Sequence, residues 1–572
     1  MKSLQDKHVL VLGLGLSGLA LARWCLRSGA QVTVADTREA PPQLAALRAQ
    51  APALRFVSGP FSADLVQGQQ AVFKSPGLSP AEVAPVVDAA RAIGLHVGNE
   101  LTLFAQALAE LAEPPGSQAP EPQEQAVALP QANQSEPEAT QIHVPESTLV
   151  DDAPLSEPVA EAADPDDKLS AEEVAAVPEL PPAPPPGYRP KVLAITGTNG
   201  KTTVTSLTGL LVERAGKSVA VAGNIGPTLL DTLRAAIEAD RLPEVWVLEL
   251  SSFQLDEVSD FEPSAATVLN LSQDHLDWHG SMAAYAKAKA NIYGRQALML
   301  LNREDPLVMA QLPVPEPVKG RSKAARVRAH QTFGTDLPTR PGDWGLEDVG
   351  GMSWLVRAAE ADETLKRGKA EEEPIYIQRL MPAEALLIRG RHNASNALAA
   401  LALASAAGCA LAPMLHGLRQ YRGEPHRVES VGVIAGVEFF DDSKGTNVGA
   451  TAAALKGLGA ERQVVVILGG QGKGQDFSPL AQPLARHARA AVLIGRDAPL
   501  LRQSLAPTGV PLHDAPDMDV AVRSAFGLAQ PGDAVLLSPA CASFDMYRDY
   551  GHRAQVFCEA VHDLAHEQGV ML

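Results

Sequence analysis

The chain is 572 residues long, 46% apolar and only 4% aromatic, so its cores must rest on Leu, Val, Ile and Ala spread over about three to four domains. A formal net charge of −19 excludes a nucleic-acid scaffold, which needs a basic face. That acidity is local: between Glu113 and Glu179 there are 16 acids against Lys168 alone, and the remainder is nearly balanced.

The first unit is expected over residues 1–112. HVLVLGLGLSGLALARWCLRSG predicts a strand, a glycine turn and a helix, QVTVAD a second strand and AVFKSPG a later strand end, a doubly wound α/β pattern. Glycines, Ser17 and Arg23 interrupt the apolar run, which argues against a signal peptide or membrane insertion. Gly13, Gly15 and Gly18 form GxGxxG, and Asp36 ends the next strand. Such a turn admits a pyrophosphate to a helix end while the acid takes a sugar hydroxyl. NAD fits that description, and so does any other diphosphate-linked nucleoside; a turn required only for packing gives the same spacing.

Residues 113–187 are rich in Pro, Ala, Glu and Gln and contain no Phe, Trp or Tyr. Such a segment cannot bury enough apolar surface to offset its chain entropy, so it reads as a disordered acidic insertion.

The central unit is expected over 188–421. KVLAITGTNGKTTVTSLTGLL runs from an apolar strand into Gly197, Thr198, Asn199, Gly200, Lys201, Thr202 and Thr203, then into a helix. Inward backbone amides, a lysine and a hydroxyl for Mg²⁺ make a triphosphate cradle. The first glycine of the common GxxxxGK[ST] form is replaced by Ile195. WVLELSSF ends a buried strand at Glu249, placed to partner Mg²⁺. AATVLNLSQDHLDWHG gives a strand and a polar loop in which His275 lies between Asp274 and Asp277, a ligand or a structural histidine. SMAAYAKAKANIYG is a helix whose Lys287 and Lys289, on the pattern alone, read as a solvated face. Residues 313–373 are expected to be hairpins and loops, and GRHNASNALAALALASAAG a long Ala-rich helix.

The last unit, 422–572, returns to strand–helix alternation with VEFFDDS, QVVVILGG, RAAVLIG and DAVLLSP, a third α/β domain with a mostly parallel sheet. Asp441, Asp442, Ser443, Lys444, Thr446 and Asn447 follow one strand, and four glycines surround Lys473 after another; α/β sheets place ligands at such ends. Cys25, Cys409, Cys541 and Cys558 show no zinc or disulfide spacing and fit a reducing cytoplasm.

With TGTNGKTT, LELSSFQL, DHLD, GRHNASNALAA, EPHRVE, DDSKGTNVGAT and LSPACASFD in one order, the chain resembles the Mur ligases over nearly its whole length, the acidic insertion and parts of 313–373 excepted. The family's phosphate loop is G-[TS]-N-G-K-[TS], so Ile195 belongs to the pattern. The resemblance implies three α/β domains, of which the first holds UDP rather than NAD. Leu16, Ser17, Asp36, Thr37, Arg38 and Gly77 match its UDP contacts, and Asn224 a contact to the muramoyl end. It implies ATP-dependent amide formation in cytoplasmic peptidoglycan precursor synthesis by a monomer. The carboxylate of UDP-N-acetylmuramoyl-L-alanine takes the γ-phosphoryl group, and the amine of D-glutamate captures the acyl phosphate. One anion attacks another, so positioning and cations dominate.

The resemblance assigns Lys201 to the β/γ oxygens, Thr202 and Glu249 to a first Mg²⁺ and His275 to a second. Lys289, carbamylated by CO₂, lies near that second metal. Asn393 and Asn396 match the adenine region, while Arg427, Asp442 and Lys444 match groups that close over ATP. Thr446, Lys473, Ser543 and Tyr550 match the D-glutamate pocket, with Tyr550 where the family has Phe. Two other readings stand beside this one. The first is another ligase of the superfamily, although the chain has no DNPR-type motif of the diaminopimelate-adding member. The second is an NAD-dependent oxidoreductase fused to a P-loop kinase.

Overall fold

In the N-terminal part, His8–Leu12 (β1) buries Val9, Leu10, Val11 and Leu12 completely, which requires a sheet covered on both faces. β1 lies inside a parallel sheet with Gln31–Asp36 (β2), Arg55–Ser58 (β3), Ala71–Lys74 (β4) and His96–Gly98 (β5), in the order β3-β2-β1-β4-β5. The order reverses beside β1, so the glycine turn leading into α1 (Leu16–Arg27) sits at the switch point where such sheets take ligands. A Cβ on Gly18 would lie 1.9 Å from the carbonyl oxygen of Gly13, so only glycine lets α1 close on the turn. At Gly15 a Cβ meets nothing within 4 Å among the described residues, which leaves the turn open outward. The unit ends with α2 (Glu100–Leu111), started by an Asn99–Thr102 capping box.

This computed structural model describes residues 2–113, 187–314, 327–361, 375–460 and 462–572. The expected disordered insertion, apart from its end residues, lies outside them. The residues that flank it meet: the Tyr188 amide donates to the Leu111 carbonyl at 2.8 Å, and the Tyr188 hydroxyl accepts from Trp246 Nε1 at 2.8 Å. The fold therefore closes without the segment between them. Deleting residues 116–185 should leave turnover within about twofold of the full chain, since closure entropy changes only slowly with loop length. A loss beyond tenfold in the same phosphate-release assay would give the segment a role beyond connection.

The second sheet has nine described strands. They are Lys191–Thr196 (β6), Val219–Gly223 (β7), Val245–Glu249 (β8), Ala265–Val268 (β9), Leu298–Asn302 (β10), His330–Phe333 (β11), Trp344–Val349 (β12), Met352–Glu360 (β13) and Ile375–Pro382 (β14). Their order is β14-β13-β12-β11-β10-β9-β6-β8-β7, parallel from β7 to β12 and antiparallel through β13 and β14. The described part of 313–373, expected as hairpins and loops, thus extends the main sheet, with Gly350 and Gly351 at positive φ turning β12 into β13. Three helices pack on this sheet: α3 (Lys201–Arg214), α4 (Met282–Ala290) and α5 (Arg391–Ala406). The small alanines of α5 let it share one core with Val204, Leu207 and Leu211 of α3.

The third sheet comprises Glu429–Ile434 (β15), Val437–Asp441 (β16), Val464–Gly469 (β17), Ala488–Ile494 (β18), Leu512–Asp514 (β19) and Ala534–Leu537 (β20). Its order is β15-β16-β20-β17-β18-β19, and only the β15–β16 pair is antiparallel. α6 (Val448–Leu458), α7 (Ala498–Leu505) and α8 (Tyr550–Glu567) belong to this unit. Among the described residues no helix is long and apolar enough to cross a membrane.

Candidate functional site

The end of β6 organises the site. Gly197 and Gly200 have φ of +155° and +82°, and a Cβ on Gly200 would meet Asn396 Oδ1 at 2.7 Å. α3 begins at Lys201 with Gly200 as its N-cap and no side-chain cap, so its first amides face the loop mouth with the positive end of the helix dipole. Lys201 Nζ donates to the Gly197 and Thr198 carbonyls, each at 2.9 Å. Burial lowers its pKa, opposed by the charges of Glu249 and Asp274. The Asn199 amide donates to Asn270 Oδ1 at 2.8 Å, and Thr198 Oγ1 lies 3.1 Å from the Tyr285 hydroxyl.

Glu249 ends β8 beside this loop and is 1% exposed. Asn224 Nδ2 donates to its Oε1 at 3.0 Å, whereas its buried Oε2 has no partner among the described residues. An unsatisfied buried carboxylate oxygen is costly, and a hard cation that prefers oxygen ligands would satisfy it. Asn224, matched to the muramoyl end of the substrate, therefore also touches the metal-binding candidate. Thr202 Oγ1 accepts from Arg427 at 2.7 Å, which brings a C-terminal-domain cation onto the loop.

Lys289 is 2% exposed on α4, while Lys287 two residues earlier is exposed. The expectation of a solvated lysine face therefore holds for Lys287 and fails for Lys289, because α4 turns that position under the phosphate loop. Lys289 Nζ donates to Thr196 Oγ1 at 3.1 Å and to the Gly197 carbonyl at 2.9 Å, and lies 4.8 Å from the Tyr285 ring centroid. Burial, reinforced by the Lys201 charge, lowers its pKa well below the lysine norm. That favours a free amine, the form that reacts with CO₂. His275 has φ +52° and sits 3.6 Å from Asp274, its ring edge-on to Phe253 at 4.7 Å. Burial lowers its pKa, which favours the neutral, metal-ligating imidazole.

A cavity of about 620 Å³ opens beside the loop, lined among others by Asn199, Gly200, Asn393, Asn396, Arg427 and Asp442. Asn396 Nδ2 donates to Asn393 Oδ1 at 3.0 Å. Burial raises the pKa of Asp442 to about 7, although Ser538 Oγ donates to it at 2.6 Å. Lys444 is not among the cavity's lining residues. Its ammonium lies 3.8 Å from the ring centroid of Tyr550, so residues matched to two different ligands touch. Thr446 follows in the same loop, its amide donating to the Lys444 carbonyl at 2.8 Å. Lys473, at φ +52°, lies 5.8 Å from the Phe544 ring, next to buried Ser543.

At the N-terminal turn, exposed Leu16 and half-buried Ser17 rim the opening, with Thr37 and Gly77 exposed nearby in sequence on their own strand ends. Asp36 is 1% exposed and accepts from the Leu14 amide at 2.7 Å and from Arg38 Nε and Nη2, each at 2.8 Å. Burial pushes its carboxyl up, but Arg38 and these amides outweigh it and hold the pKa at about 2. Through Oδ2 and the Leu14 amide, Asp36 thus shapes the glycine turn. Sequence reasoning missed Tyr285 and Asn270, which fasten the loop from behind; neither lies in a motif that marks such a role.

Three family models match: "Mur ligase MurD-like, N-terminal domain" over residues 7–98, "Mur ligase middle domain" over 195–335 and "Mur ligase, glutamate ligase domain" over 426–541. The chain is 62% identical to the UDP-N-acetylmuramoylalanine--D-glutamate ligase of a Polaromonas species, covering 100% of both chains. It is 60% identical to the protein of that name from Albidiferax ferrireducens, covering 100% of this chain and 98% of the relative. The Burkholderia mallei protein of that name is 51% identical over 99% of each.

Proposed function

The chain belongs to the Mur ligase family, and from that premise we propose that it joins D-glutamate to UDP-N-acetylmuramoyl-L-alanine with ATP in peptidoglycan precursor synthesis. The observation that carries the chemistry is the convergence of Lys201, Glu249 and Lys289 on the end of β6.

Lys201 compensates the charge gathering on the γ-phosphoryl group while the substrate carboxylate attacks it. The α3 amides orient the β-phosphate. Arg427, reaching the loop from the C-terminal domain, adds a second cation and excludes water. Asn393 and Asn396 orient the adenine, with Asp442 and Lys444 closing over the nucleotide. The substrate carboxylate oxygen bonds to phosphorus as the bond to ADP breaks. The amine of D-glutamate then adds to the acyl carbon, loses a proton, and phosphate leaves. Thr446, Lys473, Ser543 and Tyr550 hold D-glutamate. Leu16, Ser17, Asp36, Thr37, Arg38 and Gly77 hold the UDP end.

The donor set fits divalent magnesium: Thr202, Glu249, His275 and a carboxylate-ended Lys289 would hold two ions, which supply charge neutralisation between the two anions. Lys289 acquires that end when its free amine adds to CO₂ and loses a proton. The family resemblance implies that the chain works as a cytoplasmic monomer.

The test is phosphate release from ATP with UDP-N-acetylmuramoyl-L-alanine and Mg²⁺, comparing D-glutamate with L-glutamate, L-alanine and diaminopimelate. Release should require D-glutamate. Equal rates with any of the others would overturn the acceptor assignment.

A further inference from the structure

The loop that carries Lys473 is held by an aspartate outside the residues assigned above. Asp497 is the N-cap of α7, a position where Asp normally accepts from its own helix amides. Here it makes no cap hydrogen bond. Its Oδ2 instead accepts from the Gly472 amide at 2.6 Å, and its own amide donates to the Gly470 carbonyl at 3.1 Å. The side chain is 16% exposed, with Arg496 Nε 3.4 Å from Oδ1. Next to it, the Arg496 amide donates to Asp545 Oδ2 at 2.8 Å. The segment 495–497 therefore grips both the loop bearing Lys473 and the loop bearing Ser543. Those two loops also pair directly, Gln471 and Ala542 exchanging amide hydrogen bonds at 2.9 Å each way. Lys473 itself is exposed at φ +52°, a conformation that a non-glycine residue keeps only when its surroundings impose it.

We propose that Asp497 is a positioning residue for the amino-acid acceptor. Through the Gly472 amide it holds the backbone of Lys473 so that the ammonium meets the acceptor's carboxylate beside Ser543. Without that carboxylate the Gly472 amide loses its partner and the loop tip relaxes from its left-handed turn. The ATP and UDP subsites do not share the contact. The inference rests on the D-glutamate reading above.

The experiment is steady-state phosphate release by the full chain, with Asp497→Ala and Asp497→Asn against the wild type, varying each substrate in turn. Asp497→Ala should raise KM for D-glutamate about tenfold or more, the effect of losing one hydrogen bond to a charged acceptor. KM for ATP and for the nucleotide sugar should stay within about twofold, and so should kcat at saturating D-glutamate. Asp497→Asn keeps an accepting oxygen and should restore the D-glutamate KM to within about threefold of wild type. An unmoved D-glutamate KM in Asp497→Ala would overturn the role. So would a parallel rise in all three KM values with a lowered Tm, which marks a merely structural contact. Wild-type phosphate release that ignores D-glutamate would instead overturn the acceptor assignment itself, and the role of Asp497 with it.

Discussion

Lys201→Ala should lower phosphate release by on the order of 10³-fold while leaving Tm within a few degrees of wild type. The two expectations come from the same environment. Lys201 Nζ is held by the Gly197 and Thr198 carbonyls, and burial lowers its pKa while the Glu249 charge, the largest of the charges near it, opposes that shift. Removing the ammonium therefore relieves the cost of burying a charge while giving up two hydrogen bonds and the attraction of Glu249. In the transition state the balance reverses, because three phosphoryl oxygens and an attacking carboxylate gather there. A positive charge aimed at that point acts most strongly during the reaction. Lys201→Arg should not recover the activity, since a planar guanidinium does not reproduce a compact ammonium seated on two carbonyls. Thermal melting with the phosphate assay checks both halves. Unchanged turnover would remove the phosphate loop from the mechanism, and a large fall in Tm would make Lys201 structural.

The parts of this site that are local in sequence were legible before the fold was known. The phosphate loop is one such part: strand, two glycines, lysine and helix follow one another, and the backbone they require is set by near neighbours. Ile195 looks anomalous only against the commoner loop pattern; its side chain is fully buried in β6, where a core residue belongs. Lys289 was legible only through family resemblance. In MAAYAKAKA nearly every other position is alanine, so no apolar stripe tells which lysine faces inward. Packing of α4 under the loop decides it. Hairpins were expected over 313–373 and β12–β13 is one, but its place as an extension of the main sheet was not legible, because that pairing is set by strands distant in sequence. Contacts between distant parts of the chain were legible through the family resemblance or not at all. Arg427 reaches Thr202 across 225 positions of chain, and Asp497 reads locally as an ordinary N-cap.

Lys289→Ala should also reduce turnover by on the order of 10²–10³-fold or more, and short carboxylates such as acetate or formate should partly restore it. A buried lysine that donates to Thr196 Oγ1 and the Gly197 carbonyl could be read as a structural pin for the loop. Two features argue for more. Burial and the Lys201 charge lower its pKa well below the lysine norm, which makes the amine a nucleophile. The unpartnered Oε2 of Glu249 lies in the same electrostatic neighbourhood, where oxygen ligands for a cation are wanted. Truncation to alanine opens a space under the loop that a small carboxylate can enter. Lys289→Met, which fills the volume but supplies no oxygen, should be inactive and resist rescue. The wild type should lose activity in buffer stripped of CO₂ and regain it with bicarbonate. The sign with pH follows from the direction of the shift. The folded-state pKa lies below the unfolded value of 10.5, so between the two the unfolded chain binds more protons. Burying Lys289 therefore costs stability in that window, and the cost falls as pH rises toward the unfolded value. Lys289→Met should accordingly flatten the rise of stability with pH in denaturant titrations. Absence of rescue, together with a wild type indifferent to CO₂, would reduce Lys289 to a pin and leave His275 as the second cation's assigned ligand.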